Sequence, residues 1–229
     1  MKKIAILQSN YIPWKGYFDL INMVDEFILY DEVQYTKNDW RNRNRIQTPQ
    51  GTQWLTIPVR QKSLNQKIKD TKTTDKKWRK KHWRTISQNY AKAKYFKDYK
   101  DIFEALYLNC EEEYLSKINY KFILAICDIL KIDTKIRWSN EFNLLEGQTE
   151  KLLGICKDCN ADVYISGPAA KNYLDLELAK KENIKVEWIQ YNRYKEYHQV
   201  FKPFKHEVSI LDLIFNHGDG ATKFMKSFS

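Results

Sequence analysis

The sequence of 229 residues predicts an α/β fold: a mostly parallel sheet with a helical insert in the middle of the chain. Three observations predict it. Short apolar runs bracket a helix-like stretch between residues 4 and 30. The same alternation resumes in the last third. Between them, apolar residues recur every third or fourth position, the helix period rather than the strand period.

Ile4–Leu7 is a short run with no polar alternation, as in a strand buried on both faces. Residues 16–24 set Phe18, Ile21 and Val24 on one side of a helix, and residues 26–30 give a second apolar strand that stops at Asp31 and Glu32. Strand, helix and strand in that space predict a parallel pair. Residues 41–57 read as a hairpin, with Pro49 and Gly51 at the second and fourth places of a type I turn and Trp54–Ile57 as the returning strand, ended by Pro58. Two helical stripes follow: Trp78, His82, Ile86, Tyr90 and Ala93, then Leu115, Ile118, Phe122, Ile126 and Ile129. A strand at residues 136–138 returns to the sheet. Thr149 is expected to cap a helix running to Asn160, with Leu152, Leu153 and Cys156 facing inward. Residues 161–165 form a strand followed at once by Ser166, Gly167 and Pro168, and Lys185–Ile189 alternates with Val186 and Trp188 on one face. Ser209 opens a last helix that Gly218 closes. The expectation is a single α/β unit over 1–229: an N-terminal half with a hairpin (1–60), a basic, mostly helical insert (61–140) and a C-terminal half (141–229). Its architecture is Rossmann-like.

Hydrophobic residues, at 43%, supply a sizeable core, yet no window approaches the ~18 apolar residues of a membrane span. Lys2 and Lys3 begin like a signal peptide, but Gln8, Ser9 and Asn10 cut the apolar run short of the ~7–15 residues required. A cytoplasmic location is expected. Cys156 and Cys159 form a single C-x-x-C without a second pair or a histidine cluster, so no metal is expected and the four cysteines read as reduced thiols. The net charge of +10 is concentrated: residues 60–84 hold eleven Lys/Arg against two Asp/Glu. Such a patch suits nucleic acid, anionic headgroups or phosphorylated small molecules, or is simply a solvated segment.

Ligands in open α/β sheets bind beyond the carboxyl ends of the strands, which here means residues 8–14 and 31–34. In Gln8–Phe18, Gly16 at a helix entrance offers backbone N–H groups to an anion. The stretch is similar to the strand–loop–helix of nucleotidylyltransferase-like folds, with Trp14-Lys15-Gly16-Tyr17 where those have H-x-G-H. Arg41, Arg43 and Arg45 would line one face of a strand for bidentate phosphate or carboxylate contacts. Trp40, Asn42 and Asn44 would line the other, the asparagines suiting sugar hydroxyls. Ser166 and Gly167 make a ligand-facing turn or a plain helix cap. Asp31 is the acid–base candidate and His217 a general base or a C-terminal cap.

The blocks ILQSNYIPWKGYFDLI, FILYDEVQYTKNDWRNRNRI, TPQGTQWLTIPV and ADVYISGPAAKNYL resemble, in order, the WbqC-like family. The resemblance implies a transferase of surface-polysaccharide (O-antigen type) biosynthesis that attaches an amino acid such as glycine, or another acyl group, to an activated amino sugar. It implies an activated aminoacyl or acyl donor and a sugar-nucleotide substrate. Carried over by position, the residues concerned are Gln8, Tyr11, Trp14, Gly16, Tyr17, Asp31, Gln34, Trp40, Asn42, Arg43, Asn44, Ser166 and Gly167. The competing expectation is a nucleic-acid-binding module in which the lysines and arginines of residues 76–84 contact phosphates while Trp78 and Trp83 stack on bases.

Overall fold

The computed structural model describes residues 1–228. In chain order the elements are β1 (Lys3–Leu7), α1 (Lys15–Asn22) and β2 (Glu26–Leu29), then a hairpin of β3 (Arg43–Thr48) and β4 (Gly51–Thr56). A two-stranded ribbon follows, β5 (Val59–Arg60) with β6 (Lys72–Thr73), and then helices α2 (Lys77–Tyr90), α3 (Phe96–Leu108) and α4 (Leu115–Leu130). The chain re-enters the sheet as β7 (Lys135–Trp138) and continues through α5 (Gln148–Asp158), β8 (Val163–Ser166), α6 (Leu176–Lys181), β9 (Lys185–Trp188) and α7 (Ile210–His217).

The central sheet has the order β7-β2-β1-β8-β9, and every neighbouring pair is parallel. Numbered by appearance, its strands lie 3-2-1-4-5, the doubly wound order in which the winding reverses between the first and fourth strands. The reversal therefore falls between β1 and β8. Strand alternation splits the core into two layers. Ile4, Ile6, Ile28 and Tyr164 pack with α5 and α6, while Ala5, Phe27, Leu29, Val163 and Ile165 face the larger helical layer. Each buried Ile, Leu or Phe there contributes ~1.5–3 kcal/mol. Among the described residues no helix is long and apolar enough to cross a membrane.

Local chemistry sets the ends of the elements. Asp175 caps α6 by accepting the N–H groups of Glu177 and Leu178, each at 3.0 Å, and Ser209 accepts Leu211 N–H to open α7. The helix α5 starts instead at Gly147, whose φ of +92° calls for glycine. Thr149 is therefore not its cap. The Thr149 hydroxyl donates to Tyr173 O and accepts Asp175 N–H, fastening the turn before α6.

Two further expectations change. Trp40 lies outside the strand, because β3 begins only at Arg43, and its indole meets both the Arg45 guanidinium and the cavity that Asn44 lines. Trp78 and Trp83 lie on the buried face of α2, so they present no ring for a nucleic-acid base. Lys77, Lys80, Lys81 and Arg84 remain on the exposed face.

Candidate functional site

At the winding reversal a crevice of about 730 Å³ opens beyond the carboxyl ends of β1 and β8, within the ~300–1,000 Å³ of small-molecule sites. Gln8 projects from the end of β1, Ser166 and Gly167 from the end of β8, and Tyr30 from the end of β2. Among the described residues, Arg41 and Lys151 are its cations and no carboxylate is part of its lining. Such a cleft favours an anion. Ser166 donates from Oγ to the Tyr164 hydroxyl at 3.1 Å. A Cβ built on Gly167 would meet no atom within 4 Å, so the missing side chain leaves open space rather than accommodating a neighbour. At the start of α5, the Glu150 carboxylate folds over Gly147 and already occupies that helix terminus. An incoming anion is left to Arg41 and Lys151.

Arg41 also leads out of the crevice. One guanidinium nitrogen lies 3.3 Å from Gln8 Oε1, the other donates to Asn10 Oδ1, and Asp39 is 3.6 Å away. Asn10 lines a second, smaller cavity of 220 Å³ with Pro13, Trp14, Trp40, Asn44 and Glu207. The hydrogen bond from Arg41 to Asn10 thus ties a residue of the crevice lining to a residue of the cavity lining. A larger groove of 850 Å³ runs beside the β5–β6 ribbon, but three of its four lysines are engaged: Lys67 with Glu32, Lys72 with Glu113 and Lys76 with Glu111. Its charge is largely balanced.

The structure distributes the sequence-derived candidates unevenly. Gln8, Ser166 and Gly167 meet in the crevice, and Trp14, Trp40 and Asn44 meet in the smaller cavity. Asp31, expected to face a ligand, points inward. It is 2% exposed, and its carboxylate accepts Ser9 N–H at 2.8 Å and Ser9 O–H at 2.7 Å. Burial pushes its carboxyl up, opposed by the hydrogen bonds from Ser9 and by the charge of Arg41. Asp31 holds the loop that carries Gln8 and Asn10. His217 packs edge-on against Tyr197 and beside Phe224, away from both cavities, and burial pushes its pKa down.

Gly16 also departs from expectation. The start of α1 is covered: Lys15 is 3% exposed, donates to Lys195 O at 3.1 Å and lies over the rings of Tyr194 and Tyr197. Burial brings its pKa down to about 8. A Cβ on Gly16 would collide with the Trp14 indole, so this glycine makes room for a tryptophan and not for a phosphate. Tyr17 is buried and donates to Gln8 O at 3.0 Å, steadying the end of β1. Tyr11 is fully buried, bonded to His82 and Tyr107. Gln34 is exposed and donates to Leu64 O.

Within the Arg/Asn run, Arg43 and Arg45 stack on Trp54 at 4.0 and 4.8 Å. Asn42 donates to Ile57 O, and Asn44 donates to the carbonyls of Tyr11 and Ile12 at 3.1 and 2.9 Å. These asparagines spend their amides on the backbone. Lys151, Tyr30 and Tyr173 line the crevice without having been marked in the sequence. Lys151 lies in the first turn of an amphipathic helix, where a lysine reads as solvated surface.

The profile of the WbqC-like protein family matches residues 8–224, nearly the whole chain. Uncharacterized protein Rv1507c of Mycobacterium tuberculosis is 46% identical over 227 residues, covering 99% of this chain and 98% of that protein. No solved structure gives a significant match. On these grounds the chain belongs to the WbqC-like protein family.

Proposed function

We propose that this protein is a transferase of surface-polysaccharide biosynthesis that holds a phosphate-activated amino sugar, such as a sugar nucleotide, in the crevice between β1 and β8. The observation that carries this reading is the crevice itself: a nucleotide-sized opening at the winding reversal, bearing Arg41 and Lys151 and, among the described residues, no acidic side chain. Family membership supports the polysaccharide context. Arg41 grips the phosphate with a planar fork, Lys151 adds a point charge, and the open side of Gly167 lets the ligand approach the backbone.

The proposed reaction is acyl transfer, with an aminoacyl or other acyl donor. The free amine of the sugar attacks the activated acyl carbon, the C–N bond forms, the donor's leaving group departs with the bonding electrons, and the amine proton passes to solvent or to that group. Titration calorimetry with a panel of UDP-, GDP-, dTDP- and CMP-sugars is the test. Binding by at least one, weakened at least tenfold in Lys151→Ala, supports the reading; no binding by any member overturns it.

A further inference from the structure

We infer that the 220 Å³ cavity lined by Asn10, the hydrogen-bond partner of Arg41, is a separate subsite for the pyranose ring of the ligand, so that the Arg41–Asn10 contact joins a phosphate crevice to a sugar pocket. This rests on the proposed function for the crevice and adds where the sugar goes. Size argues for it first. The cavity is smaller than the ~300 Å³ lower bound of whole ligand sites, too small for a nucleotide and suited to one ring.

Its walls carry the chemistry that recognises a sugar. Trp14 and Trp40 supply indoles and Pro13 an apolar floor, while Asn10 and Glu207 bring polar groups to the same space. The electron-rich face of an indole attracts the polarised C–H face of a pyranose, and amide and carboxylate groups take its hydroxyls. Trp40 is 38% exposed, held at 5.3 Å from Trp54 with Arg45 over its ring. Such a ring is pre-placed, which lowers the entropy lost on stacking.

The loop that builds the pocket is strained in a directed way. Ile12 has φ +37°, a region that β-branched residues avoid. Asn44 pins it by donating to the carbonyls of Tyr11 and Ile12, and Tyr11 N–H donates to Trp40 O at 3.0 Å. Held strain of this kind concentrates where a surface must be presented in one shape. What it presents here is Asn10, Pro13 and Trp14.

The test compares bare nucleoside diphosphates with the matching nucleoside diphosphate sugars by calorimetry. The wild type should bind the sugar-bearing ligand more tightly by about tenfold, the size of an aromatic stacking contribution. Trp40→Ala should erase that increment and leave the affinity for the bare diphosphate unchanged, and Trp40→Phe should restore most of it. If Trp40→Ala and Asn10→Ala leave the increment intact, or lower both affinities equally in a protein with wild-type circular dichroism, the sugar subsite is wrong and the crevice reading stands. If neither ligand class binds the wild type, the crevice reading falls and takes the subsite with it.

Discussion

Arg41 Nη2 lies 3.3 Å from Gln8 Oε1, and its other terminal nitrogen reaches Asn10. Two residues of the loop after β1 are thus bridged by an arginine that arrives from the turn before β3. A single planar group holds Gln8 of the crevice and Asn10 of the neighbouring pocket, and the first prediction turns on that planarity.

Arg41→Lys keeps the charge and loses the fork. Affinity for a nucleoside diphosphate should fall about tenfold, the equivalent of one charge-assisted hydrogen bond. Calorimetry checks it, and lysine at wild-type affinity would show that only charge matters.

Gly167→Ala separates binding from folding. Gly167 has φ −71°, and a Cβ there meets no neighbour, so alanine should leave the melting temperature within about 2 °C of wild type. Ligand affinity should drop several-fold, because the added methyl takes up open space at a residue that lines the crevice. A thermal melt with and without ligand reads both.

Asp31→Asn tests the anchor of the loop. An asparagine can accept Ser9 N–H with its oxygen only by turning its NH2 toward Ser9 Oγ, which must then change from donor to acceptor. Two hydrogen bonds to a charged carboxylate become neutral ones. Urea unfolding should show a loss of about 1–3 kcal/mol. A stability equal to wild type would remove Asp31 from this structural role.

His82 gives the pH dependence a sign. Nε2 lies 3.1 Å from Thr56 O, which only accepts, so Nδ1 is left to accept the Tyr11 hydroxyl at 2.9 Å. The Tyr107 hydroxyl then donates to Tyr11 at 2.7 Å. Burial brings the His82 pKa from 6.5 down to about 4. The unfolded chain therefore binds more protons between about pH 4 and 6.5, and the His82 contribution to stability, complete above 6.5, is lost as pH falls through that window. The full loss is about 3 kcal/mol. Denaturant midpoints for wild type and His82→Gln between pH 4 and 7 should converge on acidification. Parallel profiles would rule the histidine out.

Much of the fold was legible in the sequence because its signals are local. The apolar runs at β1, β2 and β8 are buried on both faces, and a residue with no polar alternation has few other places to go. The stripe from Leu115 to Ile129 fixes which side of α4 turns inward for the same reason. The site was legible only in part. Gln8, Ser166 and Gly167 were found through the strand-end rule, which needs only the order of elements. Gly16 misled, because a glycine at a helix start serves a ligand or a neighbouring ring equally well in sequence, and here the Trp14 indole takes the space.

What the sequence determined by itself is the periodicity of each segment, the concentration of charge in residues 60–84 and the chain order of strands and helices. Which strands lie side by side, and so which loops share a crevice, depended on contacts between residues far apart in the chain. Gln8 and Ser166 are 158 positions apart and meet only because β1 pairs with β8. Periodicity carries no record of that pairing, since burial rewards any apolar neighbour alike. The tertiary fold selects the one arrangement that covers both faces of the sheet.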